Sequence, residues 1–126
     1  MNTVDFHDSD LARTIEQLAP EQIDALPFGV IKLDGNGIVT VFNRTEAIES
    51  GYKSRPALGL DFFLQVAPCM GQPEFRGRIE QARQLGRVDI ELGWVGDFSD
   101  INRSLQVRIQ SASDGGLWIF NLRDHA

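Results

Sequence analysis

A single cysteine stands in this 126-residue chain, directly after a proline in the run Asp61-Phe62-Phe63-Leu64-Gln65-Val66-Ala67-Pro68-Cys69-Met70. A thiolate is a strong nucleophile, which makes the residue a candidate for chemistry. Pro68 fixes its own φ and pushes Ala67 out of the helical region, so a helix through residues 62–66 should stop there. Cys69 then begins an irregular turn, with Gly71 and Pro73 close behind. Such a place suits a sulfur that faces a pocket. The alternative is a small buried hydrophobe, the usual state of a lone cysteine in an intracellular chain. A redox-sensing thiol is a third option. It has little support, because no Lys, Arg or His is adjacent in sequence to favour the thiolate.

Other chemistry is sparse. His7 and His125 lie near opposite ends of the chain, too few and too peripheral for a triad or a metal site. Asp34, Asp89 and Glu91 read as turn or strand-face residues. Gly35 and Gly37 belong to a tight turn and not to a phosphate loop, since no helix follows and no lysine is in place. Catalytic turnover is not expected.

The bounds agree. A chain of this length forms one domain, burying roughly two-thirds of its unfolded surface. Eighteen acidic against twelve basic residues leave a formal charge of −6. With no basic run, nucleic acid and anionic membrane are poor partners. One cysteine cannot make an intramolecular disulfide, the N-terminus lacks a signal-peptide pattern, and no window reaches the ~20 apolar residues of a membrane span. A soluble cytoplasmic domain is expected.

The elements that position Cys69 follow from periodicity. Asp8-Ser9-Asp10 offers N-caps for a helix over residues 11–19, and Pro20 ends it or starts a second turn over 21–26. Residues 1–27 therefore read as a helical cap on a core of residues 28–126. Phe28-Gly-Val-Ile-Lys-Leu-Asp, a glycine-rich turn and Ile38-Val-Thr-Val-Phe42 form a hairpin. Asn43 can cap a short helix over 44–49 that Gly51 stops. Phe75, Ile79, Ala82 and Leu85 share one face of the longest helical pattern. From Val88 the period becomes two, giving strands around residues 88–94, 105–109 and 117–122. The expected fold class is α+β, a five-stranded antiparallel sheet with short helices covering one face.

This order, with Leu26-Pro-Phe-Gly-Val-Ile-Lys-Leu-Asp-Gly-Asn-Gly, Phe42-Asn43 with Glu46, Gly59-Leu-Asp-Phe-Phe with Val66-Ala-Pro-Cys69, Pro73-Glu-Phe and Leu117-Trp-Ile-Phe, resembles the photoactive yellow protein family of PAS-fold blue-light receptors. The resemblance covers nearly the whole chain. It implies a 4-hydroxycinnamoyl (p-coumaroyl) chromophore held as a thioester on Cys69, with the backbone N–H at that position bonding the thioester carbonyl after Pro68. Phe62, Val66 and Ala67 would supply apolar wall. Glu46 would be protonated in the dark, donate to the chromophore phenolate and give up its proton after trans-to-cis isomerisation. A buried carboxyl can stay neutral because desolvation penalises its charged form. Left unpaired, the new charge would loosen the structure and expose a signalling surface. Without the resemblance, Glu46 reads as an exposed helix residue beside Arg44. A separate, downstream signalling protein is the implied partner.

Several positions depart from the family pattern. Phe42 stands for a tyrosine, so one hydroxyl donor to the phenolate is missing. Ser50 stands for threonine, and Tyr52 for an arginine over the ring. Both losses favour a neutral phenol absorbing at shorter wavelength, unless Tyr52 supplies the missing hydroxyl. Gly96 replaces a phenylalanine and Asp100 a methionine that helps thermal return, while Trp94 replaces a tyrosine and would fill part of the space. Slower dark recovery is expected, unless Phe98 or Ile101 shifts inward. A PAS interaction or ligand-binding module without photochemistry is the competing reading, since a PAS fold alone does not fix function.

Overall fold

A hairpin and a three-stranded meander join through their inner strands. The structure, a computed structural model, describes residues 4–52, 57–95 and 103–123. Gly96, Phe98, Asp100, Ile101, the turn begun at Ser54 and His125 lie outside the described residues, as does most of the turn expected after residue 96. β1 (Gly29–Leu33) and β2 (Val39–Phe42) pair antiparallel, then β3 (Asp89–Val95), β4 (Ser104–Ser111) and β5 (Leu117–Arg123) complete one sheet of order β2-β1-β5-β4-β3. β5 pairs with both β1 and β4, so it lies at the centre of the sheet. The β1–β2 turn closes on Asp34, whose carboxylate accepts from the N–H groups of Asn36 (2.8 Å) and Ile38 (3.1 Å), and Gly37 supplies a φ of 82°.

Helices occupy both faces. On one lie α3 (Arg44–Ser50), a π-helical turn Phe62–Val66, a 3-10 turn Pro68–Gly71 and α4 (Pro73–Gln84). Phe62, Val66, Met70, Phe75 and Ile79 pack there against Ile31, Val107, Ile109 and Ile119. On the other, α1 (Leu11–Glu16) and α2 (Pro20–Asp24) join a second core in which Leu11, Ile15 and Phe28 meet Val30, Trp118 and Phe120. The expectation of one covered face is thus corrected: the N-terminal segment covers the second. Leu85 is a further correction. It is 83% exposed and outside the core, because α4 ends at Gln84 and its inward face runs through Phe75 and Ile79.

Polar residues on the outer face of β4 hold the N-terminal segment down. Arg108, buried, donates to the carbonyls of Phe6 (2.5 Å) and Asp8 (2.7 Å). Gln110 accepts from the Ala12 N–H (2.8 Å) and donates to the Ser9 carbonyl (3.2 Å). Glu16 of α1 adds a third tie, accepting from Trp118 Nε1 (2.9 Å), the Ser113 N–H (3.0 Å) and Arg13 (2.6 Å). Burial of this carboxyl opposes its ionisation. The Ser113 and Trp118 donors and the Arg13 charge outweigh burial and hold its pKa below the ordinary value. A carboxyl depressed in the folded state contributes stability that is complete above its unfolded pKa, about 4.3, and is lost as pH falls through the folded value. The N-terminal segment should therefore loosen below about pH 4, seen as a change in Trp118 emission on a Trp94→Phe background. Glu16→Gln should remove that acid step; an identical acid transition in the variant would contradict the tie.

Among the described residues, no helix is long and apolar enough to cross a membrane, and no group of three or more His, Cys, Asp or Glu could hold a metal.

Candidate functional site

The segment carrying Cys69 is fixed by the edge of β2. The Val39 N–H donates to the Leu60 carbonyl, the Gly59 N–H to the Val39 carbonyl and the Phe62 N–H to the Gly37 carbonyl, each at 2.9 Å. Asp61 then caps the π-helical turn, accepting from the N–H groups of Phe63 and Leu64 at 3.1 Å. The turn stops at Ala67, as the following proline requires, and Pro68 opens the 3-10 turn whose second residue is Cys69. This stretch forms one wall of the core beneath the sheet: Phe62 and Val66 are buried, Ala67 is half-buried against them and Pro68 is exposed.

α3 carries two further residues of the site, Glu46 and Ser50. Asn43 is its N-cap, and its side-chain oxygen accepts from the Glu46 N–H at 2.9 Å, while Gly51 ends the helix with a φ of 86°. That frame turns Glu46 inward. It is 2% exposed, which overturns the reading of an exposed residue beside Arg44. Ser50 is fully buried and its hydroxyl oxygen accepts from the Tyr52 N–H at 3.1 Å. Tyr52 is buried with its ring 5.4 Å from that of half-buried Phe42. Trp94, half-buried on β3, meets Phe75 edge-on at 5.3 Å. The core beneath the sheet thus gathers Phe42, Tyr52, Phe62, Val66, Ala67 and Trp94 into one cluster.

Two partners of Glu46 escaped the sequence. Arg123 forks onto the carboxyl, Nη1 donating to Oε1 at 2.8 Å and Nη2 to Oε2 at 2.9 Å; the two side chains are 2% and 3% exposed. Asn121 Nδ2 donates to Oε1 at 3.1 Å. Ile119, Asn121 and Arg123 alternate along β5, so all three share the face that carries the Cys69 segment. Asn121 Oδ1 is buried and has no hydrogen-bond partner among the described residues. The signal was present in the sequence: a polar Asn121 inside an otherwise apolar run, two residues before an arginine, marks one face of a central strand.

Gly29, paired with Asn121 across β1, makes room for this arrangement. A Cβ there would land on Glu46 Oε1 and lie 3.2 Å from Arg123 Nη1. β1 is held between β2 and β5 and cannot retreat. Gly29→Ala should therefore push the carboxyl out of the fork and cost about 1–3 kcal/mol in a denaturant midpoint, the scale of overpacking a core. In a Glu46→Ala background the added methyl should be harmless. An equal cost in both backgrounds would contradict this account.

The sheet order, with short helices between its second and third strands, defines a PAS domain. No protein-family model matches the chain. It is 30% identical over 121 residues to photoactive yellow protein of Halochromatium salexigens, covering 95% of this chain and 97% of that protein, and 29% identical over the same shares to that of Rhodothalassium salexigens. Among solved structures, the photoactive yellow protein domain of the sensor histidine kinase Ppr from Rhodospirillum centenum superposes with a TM-score of 0.73 at 34% identity, over 86% of this chain and 96% of that one. A PAS domain from Colwellia psychrerythraea, at 13% identity and a TM-score of 0.62, shares the fold over 87% and 97% of the two chains. The chain belongs to the photoactive yellow protein family.

Proposed function

We propose that this protein is a blue- or violet-light receptor carrying a p-coumaroyl group as a thioester on Cys69. The observation that carries the reading is a buried carboxyl, Glu46, beside a buried acceptor, Asn121 Oδ1, that has no partner among the described residues, under the sheet face that also holds the Cys69 segment. A hydroxyl-bearing aromatic group suits such a site: apolar walls take the ring and the carboxyl takes the hydroxyl. When bound, the group supplies light absorption and a trans-to-cis isomerisation.

The chain's own residues do the rest. Phe62, Val66, Tyr52, Phe42 and Trp94 exclude water from the ring, and Ser50 fixes the backbone at Tyr52. Ala67 and Pro68 break the chain so that Cys69 stands in a turn, with its backbone N–H serving the thioester carbonyl. The resemblance to the family supports Gly96 as a further residue of the chromophore site. Glu46 is the proton partner of the ring oxygen. A change of charge there acts on β5 through Arg123 and Asn121, and the opposite face of β5 carries Trp118 and Phe120 under the N-terminal segment. Partial release of that segment is the signalling change, read by a signalling partner. The Rhodospirillum centenum relative, a domain of a sensor histidine kinase by its description, supports a role in signal transduction.

Incubating the apoprotein with an activated p-coumaroyl donor should add one acyl group by mass, and Cys69→Ala should take up none. An unmodified parent protein would overturn the reading in favour of a PAS module that holds another ligand, a reading that the hydroxyl missing at Phe42 favours.

A further inference from the structure

Glu46 is surrounded by donors. Its Oε1 accepts from Arg123 Nη1 and Asn121 Nδ2, and its Oε2 from Arg123 Nη2. A guanidinium has five N–H donors and no acceptor, so a proton lying within either bond of the fork would face it donor against donor. Two parallel N–H···O bonds are the geometry of a carboxylate–guanidinium pair. Asn121 Oδ1, beside the pair, is a buried acceptor with no donor among the described residues.

We propose that Glu46 is a carboxylate in the resting protein, held by Arg123 and Asn121, and that it meets the chromophore's ring hydroxyl as an acceptor, so that the site holds a neutral phenol. This rests on the photoreceptor reading and reverses the hydrogen bond expected from the family pattern, in which Glu46 donates. The charges support it. Glu46 and Arg123 sum to zero inside the protein, and a neutral phenol leaves that balance intact. A phenolate beside the intact pair would add a net negative charge to it in the interior. Passing the phenol's proton to Glu46 would break the fork. Arg123 therefore acts as a positioning residue: its cation goes to Glu46 and not to the ring.

The test begins on the apoprotein, where the chromophore plays no part. Infrared spectra of the parent and of Glu46→Gln should show no protonated-carboxyl C=O stretch that disappears in the variant, and such a band would overturn the proposal. In Arg123→Gln, a new protonated-carboxyl band is expected, which a second substitution, Glu46→Gln, should remove. Its absence would show that Arg123 does not hold the charge. Should Glu46→Gln fail to fold, carbon-13 NMR of the Glu46 side-chain carboxyl in the parent protein decides the same point. A carboxylate shift supports the proposal and an acid shift overturns it.

With p-coumaroyl loaded, the dark band should lie at the short wavelength of a neutral phenol. Glu46→Gln should move it to longer wavelength, because the guanidinium then loses its carboxylate and favours a phenolate. A long-wavelength phenolate band already present in the parent would overturn the ring-hydroxyl half. A protein that accepts no acyl group would overturn the photoreceptor reading and that half with it, while the infrared arm still decides the state of Glu46.

Discussion

Arg123→Met should destabilise the protein by about 3–5 kcal/mol, the cost of removing one partner from a buried ion pair. The Glu46 and Arg123 side chains are both nearly inaccessible, and the methionine leaves a carboxyl without its two guanidinium bonds. The penalty belongs to the stranded group and not to the pair as such. Converting both residues to apolar ones, Glu46→Leu with Arg123→Met, should therefore recover most of the loss. Denaturant midpoints at an unchanged slope would measure both. A single variant that costs less than about 1 kcal/mol, the worth of an exposed ion pair, would show that the pair is wet.

Asn43→Ala should cost on the order of 3 kcal/mol or more, by leaving several buried backbone groups unsatisfied. Its Oδ1 accepts from the N–H groups of Val30 and Glu46, both at 2.9 Å, and its Nδ2 donates to the carbonyls of Ile23 (2.8 Å) and Phe28 (3.2 Å). One side chain thus joins the end of α2, the start of β1 and the first turn of α3. Asn43→Ser keeps an N-cap acceptor for α3 and gives up the amide's two donated bonds, so it should fall between the alanine variant and the parent. If Ser proves as harmful as Ala, the accepted bonds contribute little and the capping account of α3 fails. Because the same residue orients the helix that carries Glu46, the alanine variant should also weaken the effect of Arg123→Met.

Local signals carried far. The Asp34–Gly37 turn, the Asn43 cap, the Gly51 stop and the Pro68 break each rest on a few adjacent residues, and each stands in the structure. The five strands followed from a glycine-rich hairpin turn, two period-two runs and a final apolar run, and they pair antiparallel. What escaped depends on pairing between distant segments. Arg108 and Gln110 alternate with apolar residues, a pattern that suits a solvated face, yet the N-terminal segment lies on them. Glu46 looked like a surface residue because its burial depends on Arg123, seventy-seven positions along the chain, and on the bare α-carbon of Gly29. The resemblance to the family put Glu46 in the site, but it could not supply Arg123 or Asn121, which are read from β5 only once its register against β1 is known. Leu85 failed for a simpler reason: it sits one residue past the end of α4, where helical spacing no longer sets direction.

The central claim is that light changes this protein reversibly through a group on Cys69. The direct measurement is the absorption spectrum of the p-coumaroyl-loaded protein before illumination, immediately after blue or violet light, and during return in darkness. The account predicts a band that bleaches and recovers in the parent and has no counterpart in Cys69→Ala. A loaded protein whose spectrum does not change under illumination would contradict it.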